Sequence, residues 1–216
     1  MIRAVRHCMI GAAAAGAIAV ASARPVTFPG GSMSMTEVDG STVLTQVDHT
    51  LRRDLALGAF GLREDDGARL ATGIVANYLA MRRNTPDSQA NAYLTIGAGP
   101  SWSRHHAGRR RETEGSAWVA AEADWETRRY FIGGMGKLSI VGDRVEPGWR
   151  LRAGVAPYVA EAGALHSWLF LELGRAAEPG AKTEVTPVVR VFKGPVLAEA
   201  GVSIRGRGFG TLWFYF

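Results

Sequence analysis

Charged side chains recur at every second position in several stretches of the sequence. Glu122, Asp124 and Glu126 form one such row, and Arg150 and Arg152 form another. Residues two apart in an extended strand point to the same face, so each row gathers its charges on one side. The corresponding rows of other segments contribute Glu172, Arg190, Glu199 and Arg205. Charges that are gathered inside a protein must be paired and hydrogen-bonded. The pattern therefore predicts an internal network of ion pairs, or the charged lining of a channel or small-ligand pocket.

His166 and Ser167 raise the question of a hydrolytic serine-histidine pair. Adjacent residues in a strand point to opposite faces, so this histidine could not act as the base for this hydroxyl. The sequence also lacks the His-x-Ser spacing of outer-membrane lipid A deacylases. We therefore predict no catalytic residue and no enzymatic activity, and a lipid-modifying hydrolase of the outer membrane is the alternative hypothesis.

The longest predicted loop, residues 104–114, carries two adjacent histidines and several arginines. His105 and His106 with nearby glutamates do not make a strong metal site, which needs three or four converging ligands in a rigid frame. We predict no metal and no cofactor. The arginines could pair with lipopolysaccharide phosphates, because guanidinium binds phosphate readily, or the loop could simply be solvated. These arginines are Arg104, Arg109, Arg110 and Arg111.

The elements that carry these rows are predicted to be strands, since the hydrophobic period is two. From Leu165 to Leu173, nearly all odd positions are leucine, whereas even positions mix aromatic and charged residues. Such alternation is typical of strands and not of helices. Turn-forming residues separate similar segments along the chain. The predicted strands are 32–38, 42–49, 53–63, 69–82, 90–103, 116–126, 128–139, 148–159, 164–175, 183–192, 196–205 and 209–216.

The aliphatic rows carry almost no charge, while the opposite rows carry arginine, carboxylates and glycine. In a soluble sandwich the apolar face points inward, but in a barrel surrounded by lipid it points outward. Closure of the barrel also satisfies every backbone group, as hydrocarbon requires. The sequence predicts an all-β fold, a single antiparallel up-and-down transmembrane β-barrel of ten to twelve strands. A soluble periplasmic ligand-binding β-barrel is the second alternative.

The chain ends on four aromatic residues, 213–216. Leu212, Phe214 and Phe216 share one face of the last predicted strand, which could close the barrel with aromatics at the membrane interface. A terminal phenylalanine preceded by alternating aromatics also resembles the signal that the bacterial barrel-assembly machinery reads. If this strand ends in the periplasm, the short turns are expected mostly on that side and the longest loop outside.

Residues 1–23 have the pattern of a cleaved secretory signal peptide, and residues 24–216 form one predicted domain. Arg3 and Arg6 precede an apolar run from Cys8 to Ala21, followed by a small-x-small site. The run is shorter than the about 20 residues that a spanning helix needs. Removing both arginines lowers the formal charge from +5 to +3, too small a surplus to indicate nucleic acid. Cys8 leaves with the signal, so the mature chain has no disulfide.

Several stretches resemble a family of uncharacterised proteobacterial outer-membrane proteins. They are residues 28–31, 84–94, 122–131, 154–158, 165–169 and 186–194, of which the Asp-Trp-Glu-Thr-Arg-Arg part of 122–131 is the most specific. The resemblance implies a small barrel in the bacterial outer membrane with lipid and lipopolysaccharide as neighbours. We therefore predict a non-enzymatic envelope protein acting as a narrow pore, in lipid contact or in a structural role.

Overall fold

The structure is a computed structural model that describes residues 24–64, 68–104, 111–161 and 163–216. The predicted signal peptide lies outside these ranges. The chain forms a closed antiparallel barrel in which each strand pairs with its neighbours in sequence and β1 pairs with β12. No helix in the described ranges is long and apolar enough to cross a bilayer. The strands are β1 Ser32–Asp39, β2 Thr42–Arg52, β3 Leu55–Glu64, β4 Arg69–Asn84, β5 Ser88–Arg104, β6 Arg111–Thr127, β7 Tyr130–Val141, β8 Arg144–Val155, β9 His166–Arg175, β10 Glu184–Lys193, β11 Val196–Val202 and β12 Gly208–Tyr215.

The predicted fold class is confirmed, with twelve strands at the upper end of the predicted range. Every predicted strand overlaps an observed one. Turn residues locate the hairpins well because glycine supplies the positive φ that tight turns need. Gly142, for example, has a φ of 56° in the turn between β7 and β8.

Two predicted strands run several residues past their observed ends, since 148–159 overruns β8, which ends at Val155, and 196–205 overruns β11. The second error misplaces an arginine that was predicted to be luminal. β11 ends at Val202, and Arg205 lies exposed in the turn that follows instead of in the barrel wall. The Ser203 hydroxyl accepts hydrogen bonds from the backbone N–H groups of Arg205 and Arg207, at 3.3 and 3.1 Å. A serine side chain of this kind competes with the sheet for backbone groups, so the strand stops before Arg205.

The predicted distribution of loop lengths is wrong in three places. β7 and β8 continue to Val141 and from Arg144, so the predicted outer loop 140–148 is a two-residue turn. The short periplasmic turn predicted at 160–163 is instead part of a ten-residue connection, 156–165, between β8 and β9. The hairpin β5–β6 also extends to the pair Arg104 and Arg111, which shortens the predicted loop 104–114. Polar residues that were predicted to lie in loops belong instead to long paired strands, because polarity alone does not show where β-pairing ends.

The two ends of the barrel differ, and we name them by what they carry. The terminal rim holds the segment 24–31, the C-terminal residue Phe216 and the connection 156–165. The distal rim holds the turns 40–41 and 142–143, the connection 176–183 and the turn 203–207. Phe216 is tied into the terminal rim by backbone hydrogen bonds with Ser32.

Aliphatic side chains cover the outer surface around the whole circumference. Ile74 in β4 is 75% exposed, and Leu171 in β9 and Val202 in β11 are 59% and 58% exposed. Every other strand also presents at least one large exposed hydrophobic residue on this face, among them Val38, Val47, Leu57, Leu94, Ile96, Val119, Ile132, Leu138, Leu151, Val189 and Leu212. The prediction that the aliphatic rows face away from the barrel centre is confirmed.

The interior of the terminal half is filled by buried side chains. One cluster, from β7 to β11, contains Phe131, Trp168 and Phe170, with Phe192 and Leu197. A second cluster lies across the lumen and contains Ala56, Leu79, Tyr93 and Val26. Glycines in the wall make room for flat rings. A Cβ at Gly154 would lie 2.2 Å from Phe170 Cδ1, so the ring lies directly on the backbone.

Candidate functional site: the lumen of the barrel

Four neighbouring strands carry an ionic ladder on their luminal faces. Arg152 of β8 donates to Glu172 Oε2 at 2.6 Å and to Glu199 Oε1 at 2.8 Å. Arg190 of β10 donates to the same Glu199 oxygen at 2.5 Å. Cross-strand register explains these pairs, because Arg152 is opposite Glu172 and Arg190 is opposite Glu199. Four of the predicted network residues therefore form one continuous chain of alternating charge.

The ladder rests on an aromatic ring. The guanidinium carbons of Arg190 and Arg152 lie 4.7 and 5.1 Å from the centroid of Phe170. A cation over a ring face is attracted by the ring quadrupole. Phe170 thus packs on the backbone at Gly154 and also contacts both arginines, which holds the ladder in one arrangement.

Arg150 reaches across the lumen instead of joining the ladder closely. Its Nη1 lies 3.8 Å from Glu37 Oε2 on β1, and its Nε lies 3.9 Å from Glu172 Oε2. Both distances exceed those of a hydrogen bond, and no closer acceptor is present in the described part of the chain. β1 and β8 stand almost opposite each other in the ring of twelve strands. The loose pair with Glu37 therefore narrows the lumen.

The remaining predicted carboxylates lie on β6. Glu122 is exposed within the lumen, while Asp124 and Glu126 are buried. Asp124 accepts a hydrogen bond of 2.7 Å from the Asn91 side chain. Glu126 accepts one of 2.5 Å from Arg24. The row is therefore divided. Glu122 is accessible to water, whereas Asp124 and Glu126, nearer the terminal rim, are held by hydrogen bonds from protein donors.

The segment 24–31 enters the lumen at the terminal rim, which the sequence reasoning did not foresee. Arg24 lies 2.5 Å from Glu126 and 4.0 Å from Asp124, and its backbone N–H donates to the Tyr215 hydroxyl at 2.8 Å. Val26 is 1% exposed and packs among the side chains of the second buried cluster. The sequence offered one weak sign of this placement, namely that a charged residue, Arg24, and an apolar one, Val26, directly follow the predicted cleavage site. Residues 24–26 therefore occupy the lumen next to the second buried cluster, whereas Phe28 is exposed at the rim.

A cavity of about 160 Å³ occupies the distal half of the lumen. One wall is apolar, with Leu44, Phe60 and Trp118. The facing wall is charged, with Lys137 and Arg150 on β7 and β8. Lys137 Nζ lies 5.0 Å from the Trp118 ring centroid, and in the described ranges its ammonium has no carboxylate within ion-pair distance. Neither Lys137 nor Glu37 stands out in the sequence as a site residue.

The connection 176–183 is fastened beside the mouth of this cavity. Arg207 donates to Asp39 Oδ1 and to Glu178 Oε1, both at 2.6 Å. Burial of the Arg207 guanidinium opposes its charge, but the hydrogen bonds to these carboxylates outweigh that cost and hold its pKa above the ordinary value. Gly148 allows the connection to approach, since a Cβ there would lie 2.7 Å from the Ala177 nitrogen.

His166 and Ser167 lie on opposite faces. His166 stacks on Phe192 inside the barrel, with centroids 4.4 Å apart. The Ser167 hydroxyl lies 3.0 Å from the Tyr158 hydroxyl on the other face. Among the described residues no three His, Cys, Asp or Glu side chains converge as metal ligands would. His105 and His106 lie outside those residues.

The predicted arginine loop is described only in part. Arg104 and Arg111 form the last backbone pair of the β5–β6 hairpin at the distal rim. Arg109 and Arg110 lie outside the described residues, so contact with lipopolysaccharide stays a prediction.

At the terminal rim, Leu212, Phe214 and Phe216 share the outer face, and the ring centroids of Phe214 and Phe216 stack 5.7 Å apart.

No protein-family model and no curated protein matches the sequence. Several solved barrels resemble the fold. The KdgM porin has a TM-score of 0.47 and 11% identity over 86% of this chain and 98% of its own. OccAB1 of Acinetobacter baumannii has a TM-score of 0.44 and 7% identity over 81% of this chain and 57% of its own. OccK8 (OprE) of Pseudomonas aeruginosa has a TM-score of 0.43 and 10% identity over 86% of this chain and 62% of its own. The chain is an up-and-down β-barrel of twelve strands on its own pairing pattern, and these distant similarities assign no activity to it.

Proposed function

We propose that the chain is a non-enzymatic outer-membrane β-barrel whose lumen is a vestibule for small solutes. The observation that carries the proposal is the inverted distribution of residues, with aliphatic side chains around the outside and ion pairs inside. A closed sheet leaves no unpaired edge, so it can stand in hydrocarbon. A soluble barrel with this surface would expose far more contiguous apolar area than monomeric soluble proteins do.

The terminal rim is proposed to face the periplasm. It carries exposed aromatic residues on the outer face, which prefer the membrane interface. Those in the described ranges are Tyr78, Trp125, Tyr130, Tyr158, Phe214 and Phe216. Both chain ends of the barrel lie at this rim, as expected for a protein that is exported and then inserted. The end of the β5–β6 hairpin then lies on the outer side of the membrane, and lipopolysaccharide phosphates are the proposed partners of its arginines.

The vestibule is proposed to be open at the distal rim and closed at the terminal rim. The cavity reaches the mouth lined by Asp39 and Arg207, whereas Arg24, Val26 and the aromatic cluster fill the other end. In this state we expect little or no ion conductance. The barrel is thus a closed narrow pore, and opening requires displacement of the segment 24–31.

Fractionation and electrophysiology test the proposal together. We expect the protein in the outer-membrane fraction, with migration in gels that changes on heating, and rare or no channel events in planar bilayers. Recovery from the soluble periplasm would contradict membrane insertion. Release of fatty acid from phospholipid or lipid A by the pure protein would contradict the non-enzymatic role and favour the lipid-modifying hydrolase.

Arginine substitution on the outer face should be costly in a depth-dependent way. Leu171 lies in the middle of β9, and Val202 is equally exposed but ends β11 at the distal rim. Because a lipid-facing arginine costs about 2–4 kcal/mol at the midplane and about 0–1 near the interface, L171R should lower the unfolding free energy in vesicles far more than V202R. Equal, small effects of the two variants would indicate an aqueous surface.

Loss of the aromatic side chain of Phe216 should impair assembly of the barrel more than its stability. Phe216 is 62% exposed, so F216A removes little buried area. We expect a lower yield in the outer membrane, because the terminal aromatic is the proposed signal for the assembly machinery, and an unfolding midpoint in detergent within error of wild type. Val196, an exposed residue beside Phe214 in the β11–β12 register, provides the control V196A. An unchanged outer-membrane yield of F216A would remove the signal role.

A further inference from the structure

We propose that the distal cavity binds a small amphipathic zwitterion, of the class of an apolar α-amino acid, and this inference rests on the proposed vestibule. Lys182 and Glu184 line the cavity at the distal rim without a side-chain hydrogen bond among the described residues. Three further charged groups, on β1, β7 and β8, have unused hydrogen-bonding capacity in the described part of the chain. They are Glu37, Lys137 and Arg150, none of which has a hydrogen bond to another side chain there. Charged groups usually satisfy such capacity, so these three are available for a ligand.

The three groups stand on two sides of the lumen. Glu37 belongs to β1, and Lys137 belongs to β7, which lies opposite β1 in the ring. Arg150 on β8 is opposite Met135, and Lys137 is opposite Gly148. The two cations are therefore diagonal neighbours on the same face, close enough for long side chains to reach one anion. A carboxylate fits the β7–β8 side, and an ammonium fits the Glu37 side.

The loose pair between Arg150 and Glu37 gives the site its charge preference. At 3.8 Å the two groups attract each other without a hydrogen bond. A zwitterion bound beside them in the cavity would replace this pair with charge-assisted hydrogen bonds, from Arg150 to its carboxylate and from its ammonium to Glu37, which are shorter and stronger. A ligand with one charge would leave either Glu37 or the two cations without a new partner. The cavity therefore favours both charges in one molecule.

The apolar wall specifies the rest of the ligand. Leu44 is the cross-strand partner of Glu37, and it is followed around the wall by Leu62. Trp118 lies flat on the β5 backbone because a Cβ at Gly97 would lie 2.3 Å from the indole nitrogen. Phe60 meets Trp118 edge to face, with centroids 6.2 Å apart. This wall presents an aromatic and aliphatic surface between the two charged sides.

The cavity volume sets the ligand size. A volume of about 160 Å³ has room for roughly ten water molecules, so the ligand has on the order of ten non-hydrogen atoms. An α-amino acid with an aliphatic or aromatic side chain has this size, both charges and an apolar body.

Calorimetry on the full barrel in detergent tests the site with L-phenylalanine as the probe. We expect a Kd of about 1 mM or tighter. Phenethylamine lacks the carboxylate, 3-phenylpropanoate lacks the ammonium, and glycine lacks the apolar body. Each should bind about tenfold more weakly or worse, since each loses charged hydrogen bonds or apolar contact. Equal binding of phenylalanine and either singly charged analogue would overturn the inference.

Variants test the residues directly. E37Q and K137M should each weaken phenylalanine binding about tenfold or more. E161Q and K193M change exposed charges outside the cavity and should leave binding unchanged. The change in gel migration on heating verifies that each variant is folded. The comparison of ligand analogues uses the wild-type protein, so it does not depend on whether the variants fold. A barrel that inserts normally into membranes but binds no probe at about 10 mM would refute the site and leave the proposed membrane role standing.

Discussion

Replacing Glu199 with leucine should lower the free energy of unfolding by about 3–5 kcal/mol, because it leaves a buried cation without its partner. Glu199 is 8% exposed and accepts hydrogen bonds from both Arg152 and Arg190. Arg152 keeps Glu172, but Arg190 has no other carboxylate within 4.0 Å in the described residues. The loss would be measured as urea unfolding of the barrel in lipid vesicles.

A matched control and a compensating variant separate charge from packing. E161L removes a carboxylate from the exposed connection 156–165 and should change stability by no more than about 0.5 kcal/mol. The double variant E199L/R190M should recover most of the loss, since the remaining pair of Arg152 and Glu172 stays complete. If E199L and E161L unfold alike, the ladder contributes nothing to the fold, and the ionic interior must be explained by its solvation.

The sequence predicts the faces of the strands well because alternation is a local property. Each of Arg152, Glu172 and Glu199 lies on the luminal face that its parity predicts. The alternation of odd and even positions does not show which charges meet across the lumen. That depends on register and on the closure of β1 on β12, and so the approach of Arg150 to Glu37 was not foreseen.

Three other features are missed by the sequence pattern, each for a physical reason that periodicity does not report. Arg205 continues the alternation of β11, yet the Ser203 hydroxyl captures the backbone and ends the strand. Lys137 lies in a segment rich in glycine, and its one side-chain partner among the described residues is the ring of Trp118. The segment 24–31 has no strand pattern at all, so its place in the lumen follows only from the three-dimensional position of Glu126 and Tyr215.

Reversing the charge of Arg24 should open the terminal rim. In the wild type, Arg24 lies within 4.0 Å of both Asp124 and Glu126. In R24E, three carboxylates would therefore meet at the end of β6 nearest the terminal rim. Like charges at this distance in a partly dry site repel strongly, so the segment 24–31 should leave the lumen and take Val26 out of its buried cluster. We expect channel events in planar bilayers to become at least about tenfold more frequent, a shift of about 1.4 kcal/mol in the closed-to-open equilibrium.

The charge-swapped double variant R24E/E126R distinguishes this cause from general damage to the barrel. It restores one ion pair at the same place and should return the conductance toward the wild-type level. R53E reverses an exposed arginine at the same rim, in the turn between β2 and β3, and should leave the channel closed. If R24E stays closed while still folding as a barrel, the aromatic cluster of Phe131, Trp168 and Phe170 alone seals the lumen. The segment 24–31 would then stabilise the barrel without gating it, because its removal from the lumen would leave the path for ions blocked.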